Sequence, residues 1–222
     1  YLHFIFLENS GKCVSARLVP YVGANQIRFK GYFSVQVFTG TLPEYGIKLL
    51  NKNQKCVYFC PMKVRIAFVN DIPKIIEVAE ATWKQTYAPI ISQEQIDFMY
   101  ERMYTPEAIL QQMQDGHTFL MCLEENAILG FISYIIREDH TLYIPKLYVK
   151  PQTQGKGIGR LLLEEAEKIA RKNYLQAMEL NVNRKNPAMY FYKKMGFELH
   201  EKTDIAYGKF WLNDYILRKK IN

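Results

Sequence analysis

The chain has 222 residues, 49% of them hydrophobic and 23% charged, with a net charge of +7. This composition excludes a disordered or collagen-like chain, and no apolar run reaches the roughly 20 residues that a membrane-spanning helix needs. Four cysteines are too few for a disulfide scaffold and point to a reducing, cytoplasmic compartment, while the positive charge suggests an anionic partner without naming it.

Residues 1–61 carry seven Lys and Arg against only Glu8 and Glu44, hence +5 of the net charge, with eleven Phe and Tyr, three of the four cysteines and no methionine. Met62 opens the alternating stretch Met62-Lys63-Val64-Arg65-Ile66-Ala67, which reads as an edge strand. Residues 1–61 are then either an aromatic-rich β domain or sequence upstream of a true start at Met62. The coincidence of a composition change with a domain start favours the second. Cys56 and Cys60, even joined on paper by His3 and Cys13, read as unpaired thiols, so no metal is expected.

From residue 62 onward the periodicity predicts alternating elements. A strand over 64–68 leads to a helix over 72–87, with Asn70 or Asp71 as its cap, Pro73 in its first turn and Ile75, Ile76, Val78, Ala79 and Trp83 inward. Helices over 93–104 and 106–114 precede strands over 118–123, 127–136 and 141–150. The helix over 159–173 buries Leu162, Ala166, Ile169 and Ala170 and pairs Glu164 with Lys168 and Glu167 with Arg171 on its wet side. A strand over 177–183, a short helix over 187–195 and strands near 198–206 and 211–218 complete the pattern. Meandering strands followed by strand-helix-strand units imply an α/β fold with a mixed central sheet flanked by helices.

The strongest chemical signal is the turn Gln154-Gly155-Lys156-Gly157-Ile158-Gly159-Arg160, between a strand and an amphipathic helix. Its glycines leave backbone N–H groups unshielded at a helix N-terminus, which together with the helix dipole binds phosphate. Lys156 and Arg160 add charge and Gln154 an amide. The dinucleotide fingerprint fails, because its third glycine falls on Leu162, and the P-loop fails because Lys156 is followed by Gly157.

This loop resembles the acyl-CoA pyrophosphate loop of the GNAT superfamily of N-acetyltransferases. The later stretch Asn181-Val182-Asn183-Arg184-Lys185-Asn186-Pro187-Ala188-Met189-Tyr190-Phe191-Tyr192-Lys193-Lys194-Met195-Gly196-Phe197 resembles that family's second signature. The resemblance extends over 62–219 and implies the GNAT fold, with a parted pair of parallel strands, and transfer of an acetyl group from acetyl-CoA to an amine in a ternary complex. It implies that the N–H groups of Leu147 and Val149 face the acetyl and pantetheine, that residues 154–160 hold the pyrophosphate, that Asn186 anchors the cofactor arm and that Tyr192 is the general acid toward the CoA sulfur. Where many relatives carry a carboxylate, the stretch Tyr143-Ile144-Pro145-Lys146 has none. Glu179, Glu138, Asp139 and His140 are candidate bases, each read first as an ordinary surface residue. A water relay or capture of the neutral fraction of the amine would serve as well, and Cys122 is read as buried rather than acyl-accepting.

Three acceptors remain open: a small amine such as a polyamine, a protein N-terminus or lysine, and none, as in a regulatory CoA-binding module. Trp83 and Tyr87, whose placement resembles bacterial polyamine acetyltransferases, are candidate substrate-binding residues, with packing the default reading for Tyr104, Tyr207 and Trp211. The acids Glu94, Asp97 and Glu101 share one helical face and are read as solvated rather than as a polycation track. The near neutrality of 62–222 counts against nucleic acid, and a homodimer is left open.

Overall fold

The computed structural model describes residues 62–221 in full and, within residues 1–61, only the backbones of six strands. The readings of His3, Cys13, Cys56 and Cys60 lie outside the described side chains. Two compact units, Tyr1–Pro61 and Met62–Asn222, divide the chain. In the first, Leu2–Leu7 pairs antiparallel with Cys13–Leu18, and Gln26–Arg28, Ser34–Val37, Ile47–Leu50 and Cys56–Phe59 form a four-stranded antiparallel sheet.

The second unit is built on seven strands: β1 (Lys63–Ile66), β2 (Thr118–Glu124), β3 (Ala127–Ile136), β4 (Thr141–Val149), β5 (Ala177–Asn183), β6 (Glu198–Tyr207) and β7 (Phe210–Lys220). They lie in the order β6-β7-β5-β4-β3-β2-β1, with β4 and β5 parallel and every other pair antiparallel. The expected edge strand is the edge, since β1 pairs only with β2.

Helices cover both faces. On one lie α1 (Ile72–Tyr87), α2 (Gln93–Met103) and α3 (Pro106–Gln114); on the other lie α4 (Ile158–Lys172) and α5 (Ala188–Lys194). Local chemistry sets their ends. The Ser92 and Thr105 hydroxyls accept the N–H groups of Gln95 and Ala108, capping α2 and α3. Asp71 precedes α1 without capping it. Its carboxylate instead accepts two bonds from the Arg65 guanidinium, at 2.7 and 2.8 Å, and the Phe68 N–H, at 3.0 Å.

The helix over 159–173 begins one residue earlier, at Ile158, whose side chain is buried with Leu162, Leu163, Ala166 and Ala170. Arg171 pairs with Glu167 as expected, but Lys168 pairs with Glu165 at i,i+3 rather than with Glu164. No described helix is long and apolar enough to cross a membrane.

Candidate active site

Strands β4 and β5 pair only from Thr141 to Ile144 and from Ala177 to Leu180, then part. Pro145 sits where they separate. It has no N–H to offer a partner, and the β4–β3 register shifts between Tyr143 and Lys146, so the strand bends at the position where proline is tolerated. The far end of β5 is held on its other side, where the Arg184 guanidinium donates to the Thr203 carbonyl at 2.7 Å and the Asp204 carboxylate at 2.6 Å.

The parting leaves one side of β4 unpaired. The Lys150 N–H donates to the Leu129 carbonyl of β3 at 2.9 Å. By the alternation of a strand, the N–H groups of Val149 and Leu147 then point away from β3, into the gap. A cavity of about 630 Å³ occupies that gap and runs to the N-terminus of α4.

There, Gly155 and Gly157 take φ values of +79° and +83°, a left-handed backbone that favours glycine. Gly157 occupies the cap position of α4 with no side-chain cap bond, so the first-turn N–H groups are left for a ligand. The Gln154 amide donates to the Val149 carbonyl at 3.2 Å, tying the loop to the strand. This donor set, uncapped helix N–H groups beside the Arg160 cation and opposite an unpaired strand edge, fits a long ligand with a pyrophosphate at one end and amides along its arm.

Most of the predicted site residues meet here. Leu147, Val149, Gln154, Gly155, Gly157, Ile158, Gly159, Arg160, Asn186, Tyr192 and Tyr87 all line the cavity. Lys156 does not; it is exposed in the loop. Trp83 is a correction, because its indole is 3% exposed, donates to the Ile96 carbonyl at 3.2 Å and belongs to the α1–α2 core. The Asn186 side-chain oxygen Oδ1 accepts the Ala188 N–H at 2.9 Å, which leaves its amide hydrogens for the cavity.

Tyr192 is 9% exposed, and burial pushes its phenol well above the ordinary value, so it is protonated at working pH. Tyr87, Tyr104 and Tyr148 form a second aromatic group against Trp83, all three raised first by burial.

The residues read as surface acids stay out of the cavity wall. Glu179 is buried but ion-paired to Arg137 at 2.8 Å, and Asp139 accepts the Thr141 N–H at 3.1 Å. Glu94, Asp97 and Glu101 are exposed on α2, Glu94 pairing with Lys209, as expected of a solvated face. Cys122 is fully buried and its thiol is pushed up to about 11 by that burial.

The sequence reading missed Lys146, which lines the cavity at 9% exposure. A lysine interrupting an apolar strand directly after a proline was the available signal.

A family model described as an acetyltransferase (GNAT) domain matches residues 87–212. A spermidine N(1)-acetyltransferase of Thermoplasma acidophilum is 33% identical over 165 residues, 72% of this chain and 97% of that protein. The crystal structure of a PaiA N-acetyltransferase of Thermoplasma acidophilum in complex with coenzyme A superposes with a TM-score of 0.62 at 35% identity, covering 72% of this chain and 99% of that one. The ribosomal-protein-S18-alanine N-acetyltransferase from Escherichia coli superposes at 0.57 with 14% identity, covering 73% and 95%, a likeness of fold alone.

Proposed function

The chain belongs to the GNAT acetyltransferase family and uses acetyl-CoA as its acetyl donor, and on that premise we propose that its acceptor is the primary amine of a small molecule, a polyamine such as spermidine, attacking the donor directly while both are bound. The observation that carries the acceptor class is the 33% identity to a spermidine N(1)-acetyltransferase over nearly the whole of that protein.

The donor brings an activated thioester carbonyl. In this reading the uncapped N-terminus of α4, with Gly155, Gly157, Gly159 and Arg160, holds the pyrophosphate, and Asn186 holds the arm. The N–H groups of Leu147 and Val149 pair with the pantetheine and polarise the carbonyl, and one such donor contributes about 3 kcal/mol. Tyr192 delivers a proton to the departing sulfur, a task for a buried, protonated weak acid.

The acceptor approaches from the α1 side, past Thr82, Thr86 and Tyr87. Trp83 packs in the core and takes no part in the acceptor groove.

The test is acetyl-CoA-dependent thiol release by the full chain against polyamines, amino acids, aminoglycosides and peptides. Turnover of spermidine is expected. Turnover of peptides alone would replace the small amine with a protein acceptor, and acetyl-CoA binding without any turnover would favour a regulatory module.

A further inference from the structure

We propose that Lys146 is the general base of this reaction: its ε-amine takes the proton that the attacking acceptor nitrogen must shed. The proposal rests on the reading above, in which an amine attacks acetyl-CoA within the β4–β5 cleft.

Among the described residues the cavity wall contains no Asp, Glu or His, so the usual proton acceptors are missing where one is needed. Its tyrosines are held protonated by burial, and an arginine side chain has donors but no acceptor to offer. That leaves Lys146, one residue before Leu147 and just past the point where β4 leaves β5.

Its surroundings are unusual for a lysine. The ammonium has no carboxylate partner among the described residues; its only hydrogen bond goes to the neutral Gln112 Oε1, at 2.6 Å. Gln112 is itself fixed, since its Nε2 donates to the Met103 carbonyl at 2.9 Å and so turns its oxygen toward Lys146. Ser133 is directly opposite Lys146 across β3 and β4, which puts both side chains on one face of the sheet. Ser133 Oγ and His117 Nδ1 are buried without a hydrogen-bond partner among the described residues. The Tyr104 ring centre lies 5.8 Å from Lys146 Nζ. The site therefore has one fixed acceptor and two unused polar atoms for an ammonium that forms during turnover. It has no carboxylate among the described residues to hold that ammonium charged beforehand, and burial lowers the lysine to about 8.

The step balances without a further reactant. The acceptor nitrogen forms a bond to the thioester carbonyl carbon and the carbon–sulfur bond breaks. The proton lost by nitrogen goes to the Lys146 lone pair, and the sulfur takes a proton from the Tyr192 hydroxyl. Return of one proton from Lys146 to Tyr192 through solvent restores both groups.

The groups facing Lys146 are Tyr104 at the end of α2, Gln112 of α3, His117 beyond it, Ser133 of β3 and Tyr148 of its own strand. Of these only His117 also titrates near neutrality, and burial and the Lys146 charge lower it, against the opposing pull of Asp115.

The experiment compares full-length wild type with Lys146→Met and Lys146→Arg, reading kcat/KM for spermidine by thiol release from pH 6 to pH 9.5. The acceptor's own ammonium, near about 10 by analogy with lysine, cancels in the ratio of wild type to variant. That ratio should rise with pH, level off above about 8, and reach roughly 100, with acetyl-CoA affinity unchanged. The Arg variant, which keeps the charge but holds its proton, should fail equally. A ratio near one, or full rescue by Arg, overturns the assignment.

Trace labelling of wild-type lysines by acetic anhydride, read by mass spectrometry across pH, needs no variant. A Lys146 midpoint near about 8 supports the proposal, and one at the ordinary lysine value overturns it. If wild type turns over no small amine while the labelling midpoint stays low, the acceptor reading fails and the Lys146 titration stands.

Discussion

A Cβ on Gly130 would lie 2.5 Å from the carbonyl oxygen of Tyr148, so β3 reaches β4 there only because residue 130 has no side chain. The obstruction is backbone, which no rotamer change relieves. Gly130→Ala must therefore displace β4 at Tyr148 and Val149, beside the Leu147 and Val149 N–H groups that face the cleft. Overpacking of this kind costs about 1–3 kcal/mol, a fall in Tm of several degrees for a chain of this size. Weaker acetyl-CoA binding should accompany it in calorimetry. A stable variant with unchanged affinity would show that the strand yields without moving its cleft-facing donors.

Gly157 caps α4 at φ +83° with its N–H neighbours uncapped. Gly157→Glu puts a side chain and a negative charge where the pyrophosphate is proposed to sit, and acetyl-CoA binding should be lost in calorimetry. The left-handed backbone itself costs a non-glycine residue about 1–2 kcal/mol. Gly157→Ala, which keeps only that strain, should bind acetyl-CoA weakly but measurably. Wild-type affinity in the Glu variant would remove the loop from the donor site.

The parts of this fold legible in the sequence are those whose causes are local. Helices α1 and α3 begin and end where expected because Asp71-Ile72-Pro73, Thr105-Pro106 and Asp115-Gly116 mark their ends within a few residues. The phosphate loop was legible for the same reason, since three glycines before an amphipathic helix act through the backbone alone. Trp83 was placed on the right face of α1, but periodicity cannot say that this face ends against Ile96 rather than in the cleft. Lys146 was not legible as a site because its burial comes from Tyr104 and Gln112, brought over from α2 and α3 by the fold. The choice of Glu165 over Glu164 by Lys168 is one of rotamer, since both spacings are allowed on a helix.

Arg65 and Asp71 join β1 to the start of α1 through a two-pronged ion pair. The guanidinium bond, the Phe68 N–H and nearby Lys74 hold the Asp71 carboxyl down to about 2, against the opposing effect of burial. A carboxyl depressed in the folded state adds stability above its unfolded pKa of 3.8 and loses it as pH falls toward about 2. Because Arg65 is partly exposed, the pair contributes only about 1 kcal/mol. Asp71→Asn should therefore lower Tm by a few degrees at pH 7, with the gap to wild type closing between pH 4 and pH 2. A gap independent of pH would show that the loss does not come from the charge of the Asp71 carboxylate.

Tyr192 stands in the cavity wall with its ring 5.3 Å from that of Phe191 and 6.0 Å from that of Phe197. Those rings fix its position, and burial keeps its hydroxyl protonated. Tyr192→Phe removes one oxygen and leaves the packing, so Tm and acetyl-CoA affinity should be unchanged. If the hydroxyl protonates the departing sulfur, kcat should fall by about 100-fold, the lower end of what a positioned acid contributes. The raised phenol also means that wild type should show no fall in kcat from Tyr192 ionisation up to pH 9.5. Stopped-flow measurement of the thiol-release step separates this chemistry from product release, and an unchanged rate in the Phe variant would leave Tyr192 as a packing residue between Phe191 and Phe197.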